Sequence, residues 1–173
     1  MDPQKGLIVR APVGYPKGKA DAFVEAHKDW IVKQAARQEA VISGAEALGI
    51  LSDRELAALK KQASEVLPLR LEAWAKLIGV HYAKVTVRTQ KTRWGSCSAK
   101  GAINLNSLLM LAPPEVIDSV LVHELCHLKQ MNHSERFYQE IYKVMPDYDR
   151  RHQWLKKNGP LIMARIPAFQ NKG

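Results

Sequence analysis

Large and apolar side chains recur at helical spacing through the first third of the chain, after a short apolar stretch. Residues 6–12 are mostly apolar and precede a turn signal at Pro16 and Gly18, which predicts a short strand. Residues 19–38 predict an amphipathic helix, with Phe23, Val24, His27, Trp30, Ile31 and Gln34 at spacings of three and four. Residues 41–50, which include two glycines, are predicted to be a connection.

A second, longer helix is predicted to begin after Ser52 and to end near Ile78. Ser52 and Glu55 have the spacing of a capping box, in which each side chain bonds the other's backbone N–H. Gly79 suits the left-handed position after the helix, and Pro68 is expected to kink or split it. The predicted inward face consists of Leu56, Leu59, Val66, Leu69, Trp74 and Leu77.

The middle of the chain changes to the alternating pattern of β-strands. Residues 83–89 alternate in this way, and Ala102–Asn106 is a second short strand, so the two are predicted to form a ribbon over the site. The polar, glycine-bearing residues 90–100 between them are predicted to form a loop.

Three more helices are predicted in the last third. The first opens at Pro113-Pro114-Glu115 and is expected to end at Asn132, with an apolar stripe of Val116, Ile117, Val120, Leu121 and Leu128. The second is predicted over residues 134–144, with Phe137, Ile141 and Val144 inward, and the third over residues 148–157, ended by Gly159. Residues 161–173 are predicted to be irregular.

This pattern predicts one α+β domain, mostly helical, with a small and mainly antiparallel sheet over the helix that opens at Pro113. Within it we expect a helical N-terminal part at about residues 18–79 and a catalytic core at about residues 80–159. The length of 173 residues suits a single domain that buries enough surface to fold without disulfides.

Composition and charge narrow the class of protein. Two cysteines, no signal-peptide pattern and no long apolar run predict a cytoplasmic protein without a membrane span. The net charge of +9 is compatible with a nucleic-acid partner, with an anionic substrate, or with solubility alone.

The main chemical signal is a His-Glu-x-x-His motif at residues 123–127. His123 and His127 lie four positions apart, so on a helix both imidazoles can bind one Zn²⁺. Glu124 stands beside them, where its carboxylate can take a proton from the attacking water. The apolar residues 120–122 indicate that the helix is buried, and buried imidazoles need a partner.

A third histidine, His133, follows six residues after His127. The same spacing occurs in the metzincin pattern, where a glycine lies between and turns the chain. Gln130 occupies that position here, so the turn is expected at Met131-Asn132, because asparagine tolerates the left-handed conformation. His133 then completes a three-ligand site with one open position, which is typical of a catalytic zinc. The alternative is that His133 only caps or packs.

These residues resemble the YgjP-like metallopeptidase family, which is related to the SprT-like zincins. The resemblance covers roughly residues 23–159 and is dense from Arg93 onward. The matching positions are residues 93–98, Gly101, Ile103, 105–106, 117–118, 123–128, 132–134, Phe137, 145–148 and Arg151. It implies a zincin-like core with a zinc ion held by His123, His127 and His133, and with Glu124 as general base. The chain departs from the family at the front, where only residues 6–12 remain of a longer β-region.

Other residues have two interpretations. Cys126 is expected to be a packed thiol; Cys97 is a turn residue or a redox or inhibitory ligand. Trp94 is expected in the core. Ser96 and Asn106 either position a substrate or serve the turn. The basic loop of Lys91, Arg93 and Lys100 either borders the cleft or is a solvated face.

We therefore expect a zinc-dependent hydrolase that cleaves peptide or protein substrates, with Ala102–Asn106 as an edge that holds an extended peptide. A DNA-associated SprT-like protease, or a nucleic-acid-binding module with a secondary zinc site, is the alternative. A degenerate zincin without turnover is a third, which the intact Glu124 opposes.

Overall fold

The computed structural model describes residues 7–167. The chain divides into two compact units, Met1–Gly44 and Ala45–Gly173. The helices are α1 (Lys17–Ala26), α2 (Lys28–Ala47), α3 (Asp53–Ile78), α4 (Pro114–Cys126), α5 (Glu135–Val144) and α6 (Tyr148–Ala164). The strands are β1 (Lys84–Arg88), β2 (Gly95–Cys97) and β3 (Ala102–Asn106), and a 3-10 turn spans Ser107–Leu111.

The N-terminal segment departs from the predictions in three ways. Residues 7–12 are exposed and form no strand, while Gly6, the first residue of the predicted strand, lies outside the described residues. The helix predicted over residues 19–38 is two helices, because the chain breaks at His27. The predicted connection over residues 41–50 is wrong in its first part, since α2 continues to Ala47.

Helix α3 confirms the predicted start and end and part of the predicted face, since Leu56, Leu59 and Trp74 are partly buried and pack on the core. The Ser52 and Glu55 capping box is present, and Gly79 has a φ of 74° and donates its N–H to the Ala75 carbonyl. Pro68 lies inside the helix without splitting it. The buried face is Ala63, Leu67, Leu71, Ala75 and Ile78. Leu69 and Leu77 of the predicted face are 75% and 66% exposed, because the packed stripe lies about one residue further along.

The sheet is small and mixed. Its strand order is β1-β3-β2, with β1 parallel and β2 antiparallel to β3. The predicted strands at residues 83–89 and Ala102–Asn106 are confirmed and pair with each other. The predicted loop over residues 90–100 contains β2, whose three residues are too few to show alternation. As a result β3 is the central strand and β2 is an edge strand.

The core of the second unit lies between the sheet and helices α3, α4, α5 and α6. The Arg70 side chain ties α3 to α4, with Nε 3.0 Å and Nη2 2.8 Å from the two Asp118 carboxylate oxygens. The fold is therefore α+β and mostly helical, as predicted. No helix within residues 7–167 has the length and apolarity needed to cross a membrane.

Two helix ends differ from the predictions. Helix α4 ends at Cys126 instead of Asn132, and three further amides, from Leu128 to Gln130, bond back to Leu125 and Cys126 in tight turns. Helix α6 runs through Gly159 and Pro160 to Ala164. Its last turn buries Ile162 in a small cluster with Leu51 and Leu108, so packing outweighs the unfavourable proline.

Candidate metal centre

The last turn of α4 and the loop after it bring three imidazoles together. His123 and His127 occupy adjacent turns, as their spacing predicts, and His133 follows in the loop before α5. One nitrogen from each ring lies within 4.8 Å of the others, and the Nε2 atoms of His123 and His133 are 3.1 Å apart. The structure therefore places all three predicted ligands at one point.

The turn that carries His133 is built differently from the prediction. No non-glycine residue between positions 7 and 167 has a positive φ, so Asn132 is not left-handed. Instead, the Gln130 carbonyl lies 3.1 Å from His127 Nδ1. This contact holds the loop against the end of α4, and it leaves His127 Nε2 free for a ligand.

The donor set fits a divalent metal ion. Tetrahedral zinc with Zn–N bonds of about 2.0–2.1 Å holds its nitrogens about 3.3 Å apart, close to the 3.1 Å between the Nε2 atoms of His123 and His133. Burial, together with the neighbouring histidines, lowers the pKa of His123 to about 3. Burial also lowers the pKa of His127. Both rings are therefore neutral near pH 7, the state in which imidazole binds a metal.

An aromatic ring supports the three histidines from α5. The Phe137 ring is fully buried, and its centroid lies 4.9, 4.5 and 5.0 Å from those of His123, His127 and His133. Phe137 was predicted to face inward, but its helical spacing did not indicate that it contacts all three rings. It limits the space in which the imidazoles can rotate.

Glu124 is buried beside the histidines and against β2. Only 6% of Glu124 is exposed, and burial raises its pKa to about 7. A Cβ on Gly95 would lie 2.6 Å from Glu124 Oε1, closer than side chains approach. Gly95 therefore provides the space in which the carboxylate lies, a role that its position in a predicted loop did not reveal.

Two cavities meet at Glu124. The outer cleft, of about 260 Å³, is bordered by β2, Met131 and the three histidines. The inner cavity, of about 280 Å³, lies between α4, α6 and residues 92–95, and Arg93, Tyr148 and His152 are in its wall. Gly95, His123 and Glu124 line both. A substrate at the carboxylate can therefore reach into either space.

Two residues of α6 extend the site beyond the predicted set. Tyr148 Oη lies 2.8 Å from His123 Nδ1, and His152 Nδ1 lies 3.3 Å from the same hydroxyl. His152 is outside the three-histidine cluster. The signal that could have indicated this pair is their four-residue separation on one face of a helix.

The chain was compared with models of known protein families. The model described as YgjP-like, metallopeptidase domain, matches residues 51–158. The chain belongs to the YgjP-like metallopeptidase family. The matched region contains β1 to β3, α3 to α5, all three histidines and Glu124.

Among individual proteins, this YgjP-like chain is similar to a UTP pyrophosphatase of Escherichia coli (strain K12). The two are 30% identical over 95 residues, which is 55% of this chain and 52% of that protein. The chain thus spans about half the length of the curated relative.

Two solved structures are also similar. One is the metallopeptidase zymogen abylysin of Pyrococcus abyssi, with 28% identity, a TM-score of 0.48, and coverage of 53% of this chain and 94% of the other. The other is the metallopeptidase zymogen jannalysin of Methanocaldococcus jannaschii, with 18% identity and a TM-score of 0.46. The similarity covers 51% of this chain and 92% of the other.

The structure shows where the other residues with two interpretations lie in this YgjP-like protein. Cys126 is a buried core thiol, as expected. Cys97 lines the outer cleft without joining the three-histidine cluster, and burial, with the charge of Glu124, raises its pKa to about 11. Asn106 serves the turn, since its amide donates to the carbonyls of Gln90 and Arg93 at 2.7 Å each.

Only some of the other residues line the two cavities. Ser96 lines the outer cleft. Trp94 is half-buried and packs on the core, and it also borders the inner cavity. Within the basic loop, Lys91 donates to the Pro167 carbonyl, whereas Arg93 lines the inner cavity.

Proposed function

We propose that this protein is a zinc-dependent hydrolase that cleaves peptide bonds, with the metal held by His123, His127 and His133. The observation that carries the proposal is three imidazole nitrogens within 4.8 Å of one another beside a buried carboxylate. Membership of a metallopeptidase family supports the same chemistry. Three protein ligands leave one position for water or substrate, which is typical of a catalytic site.

Zinc bound there supplies a Lewis acid that polarises the scissile carbonyl and brings the pKa of water near neutrality. Glu124 is the general base. Its raised pKa, about 7, suits a carboxylate that accepts a proton from water and then returns it to the leaving amine. Its buried position raises the pKa, while the two cavities that it lines leave the carboxylate accessible to water and substrate.

Strand β2 is the element that would hold an extended peptide. The predicted edge, Ala102–Asn106, is wrong, because β3 is paired on both sides. Strand β2 is the edge strand on the side of the cleft, and Gly95, Ser96 and Cys97 all line it. A peptide added along β2 would bond main chain to main chain and pass over the histidines.

The test of this proposal is the Glu124→Gln variant, which keeps the shape of the side chain but removes the base. We expect it to retain metal and to lose cleavage of a peptide library by about 100-fold or more. Metal content is measured on the same samples by elemental analysis. Full cleavage by zinc-loaded Glu124→Gln would show that Glu124 is not the base.

A second candidate is hydrolysis of a nucleoside triphosphate. The similarity to a UTP pyrophosphatase favours it, as does Arg93 in the wall of the inner cavity, where a cationic side chain can bind phosphate. Chromatography of UTP incubated with the same preparation tests this candidate. Release of UMP by the wild type but not by Glu124→Gln would favour it, and intact UTP beside a cleaved peptide would exclude it.

A further inference from the structure

A continuous hydrogen-bonded chain runs from the metal centre into α6. His123 Nδ1 lies 2.8 Å from Tyr148 Oη, and the same hydroxyl lies 3.3 Å from His152 Nδ1. Tyr148 is 2% exposed, and its ring lies nearly parallel to each imidazole, with interplanar angles of 17° to His123 and 22° to His152. Helix packing alone does not require three polar groups in this order.

The protons along this chain follow from the metal site. His123 Nε2 points toward His133, so as a ligand it carries no proton. The proton of the neutral ring is then on Nδ1, which donates to the Tyr148 oxygen. The hydroxyl proton is left to donate to His152 Nδ1. The two donors within the chain, His123 Nδ1–H and the Tyr148 hydroxyl, each have an acceptor in this arrangement.

Tyr148 alone would not fix that arrangement. A hydroxyl both donates and accepts, so without a second partner it can donate to His123 Nδ1 instead. That contact places the His123 proton on Nε2, the nitrogen that must face the metal. Free neutral histidine favours the tautomer with its proton on Nε2, and in that tautomer His152 Nδ1 accepts the hydroxyl proton and opposes the reversal.

We propose that Tyr148 and His152 are positioning residues of the metal centre, and that His152, through Tyr148, selects the His123 tautomer that binds metal. The inference rests on the proposed metal site. Partners of this kind orient ligating histidines in metalloproteins, and their loss weakens metal affinity by about 10- to 100-fold. His152 touches neither metal nor substrate in this role.

Three substitutions separate this role from packing. His152→Leu fills similar space but has no acceptor, so we expect zinc affinity to fall by about 10-fold or more. His152→Asn places its Oδ1 near the position of Nδ1 and is expected to restore most of the affinity. Tyr148→Phe removes the hydroxyl and is expected to behave as His152→Leu does. Affinity is measured by competition with a chromophoric chelator.

The tautomer itself is measured on metal-free protein by ¹⁵N–¹H correlation of labelled histidines, with His123 assigned by its Gln variant. We expect Nδ1–H in the wild type and in His152→Asn, and a gain of Nε2–H in His152→Leu. An unchanged tautomer in His152→Leu, or equal losses of affinity in His152→Leu and His152→Asn, would overturn the inference. Wild type that binds no zinc would overturn the proposed function instead, and the tautomer measurement would still decide this inference.

Discussion

Substituting Gly95 by alanine should reduce catalysis while the protein stays folded and binds metal. The added Cβ would lie 2.6 Å from Glu124 Oε1, 2.7 Å from Cγ and 2.8 Å from Cδ. Ordinary contact needs about 3.4 Å or more, so the carboxylate must move by roughly 1 Å. All three atoms belong to the end of a flexible side chain, so it can move while the backbone stays.

The size of the effect follows from that displacement. Misplacing a catalytic group by about 1 Å can reduce turnover about 100-fold, whereas overpacking costs about 1–3 kcal/mol of stability. We expect Gly95→Ala to bind metal normally, to unfold at a slightly lower temperature, and to lose about 100-fold in kcat. The assays are chelator competition, thermal unfolding and hydrolysis of the substrate found for the wild type.

Gly18→Ala is the matched control, because a Cβ there meets no atom within 4 Å. It should leave turnover unchanged. If Gly95→Ala turned over as fast as the wild type, the position of Glu124 against β2 would not matter to the chemistry. If it bound no metal, the change would act on the histidines instead, and the reasoning from Glu124 would be refuted.

Other predictions concern stability and charge. The folded-state pKa of Glu124, about 7, exceeds its ordinary value of 4.5, so metal-free protein loses stability as pH rises between them. In urea unfolding, the free energy of unfolding of Glu124→Gln should therefore rise relative to that of the wild type by up to about 3 kcal/mol from pH 5 to pH 8. An unchanged difference over this pH range would contradict the burial argument. Arg70→Met should lower the free energy of unfolding by about 1–3 kcal/mol, because it leaves Asp118 unpaired. Lys76→Met removes a pair that is exposed to solvent and should change the free energy of unfolding by less than about 0.5 kcal/mol. Equal effects would contradict the difference in burial. If the net charge of +9 serves nucleic acid, DNA affinity should fall steeply with salt and weaken in an Arg93→Glu Lys100→Glu variant, and no binding at low salt would remove that hypothesis.

The bounds of α3 and the proximity of His123 to His127 were predictable because their signals are local. The Ser52 capping box, the Gly79 stop and the four-residue histidine spacing each depend on backbone geometry within one or two turns. The contact face of α3 was not predictable in the same way. Its leucines surround the helix, and small alanines such as Ala63 and Ala75 mark the side of close approach.

The missed parts of the site depend on long-range packing. Strand β2 has three residues and forms only because β3 pairs with it, so periodicity cannot detect it. The importance of Gly95 depends on where Glu124 lies, and that of Tyr148 on how α6 packs against α4. Such contacts join residues about 25–30 positions apart, and they require the fold.

The most direct test of the account is a crystal structure of zinc-loaded protein with anomalous diffraction recorded on both sides of the zinc absorption edge. The account predicts one zinc ion per chain, with a nitrogen of His123, His127 and His133 each at about 2.0–2.1 Å. In the structure Glu140 is already paired with Lys129 and Lys143. Zinc bound by Glu135 or Glu140 in place of His133, or bound away from the three imidazoles, would contradict the central claim.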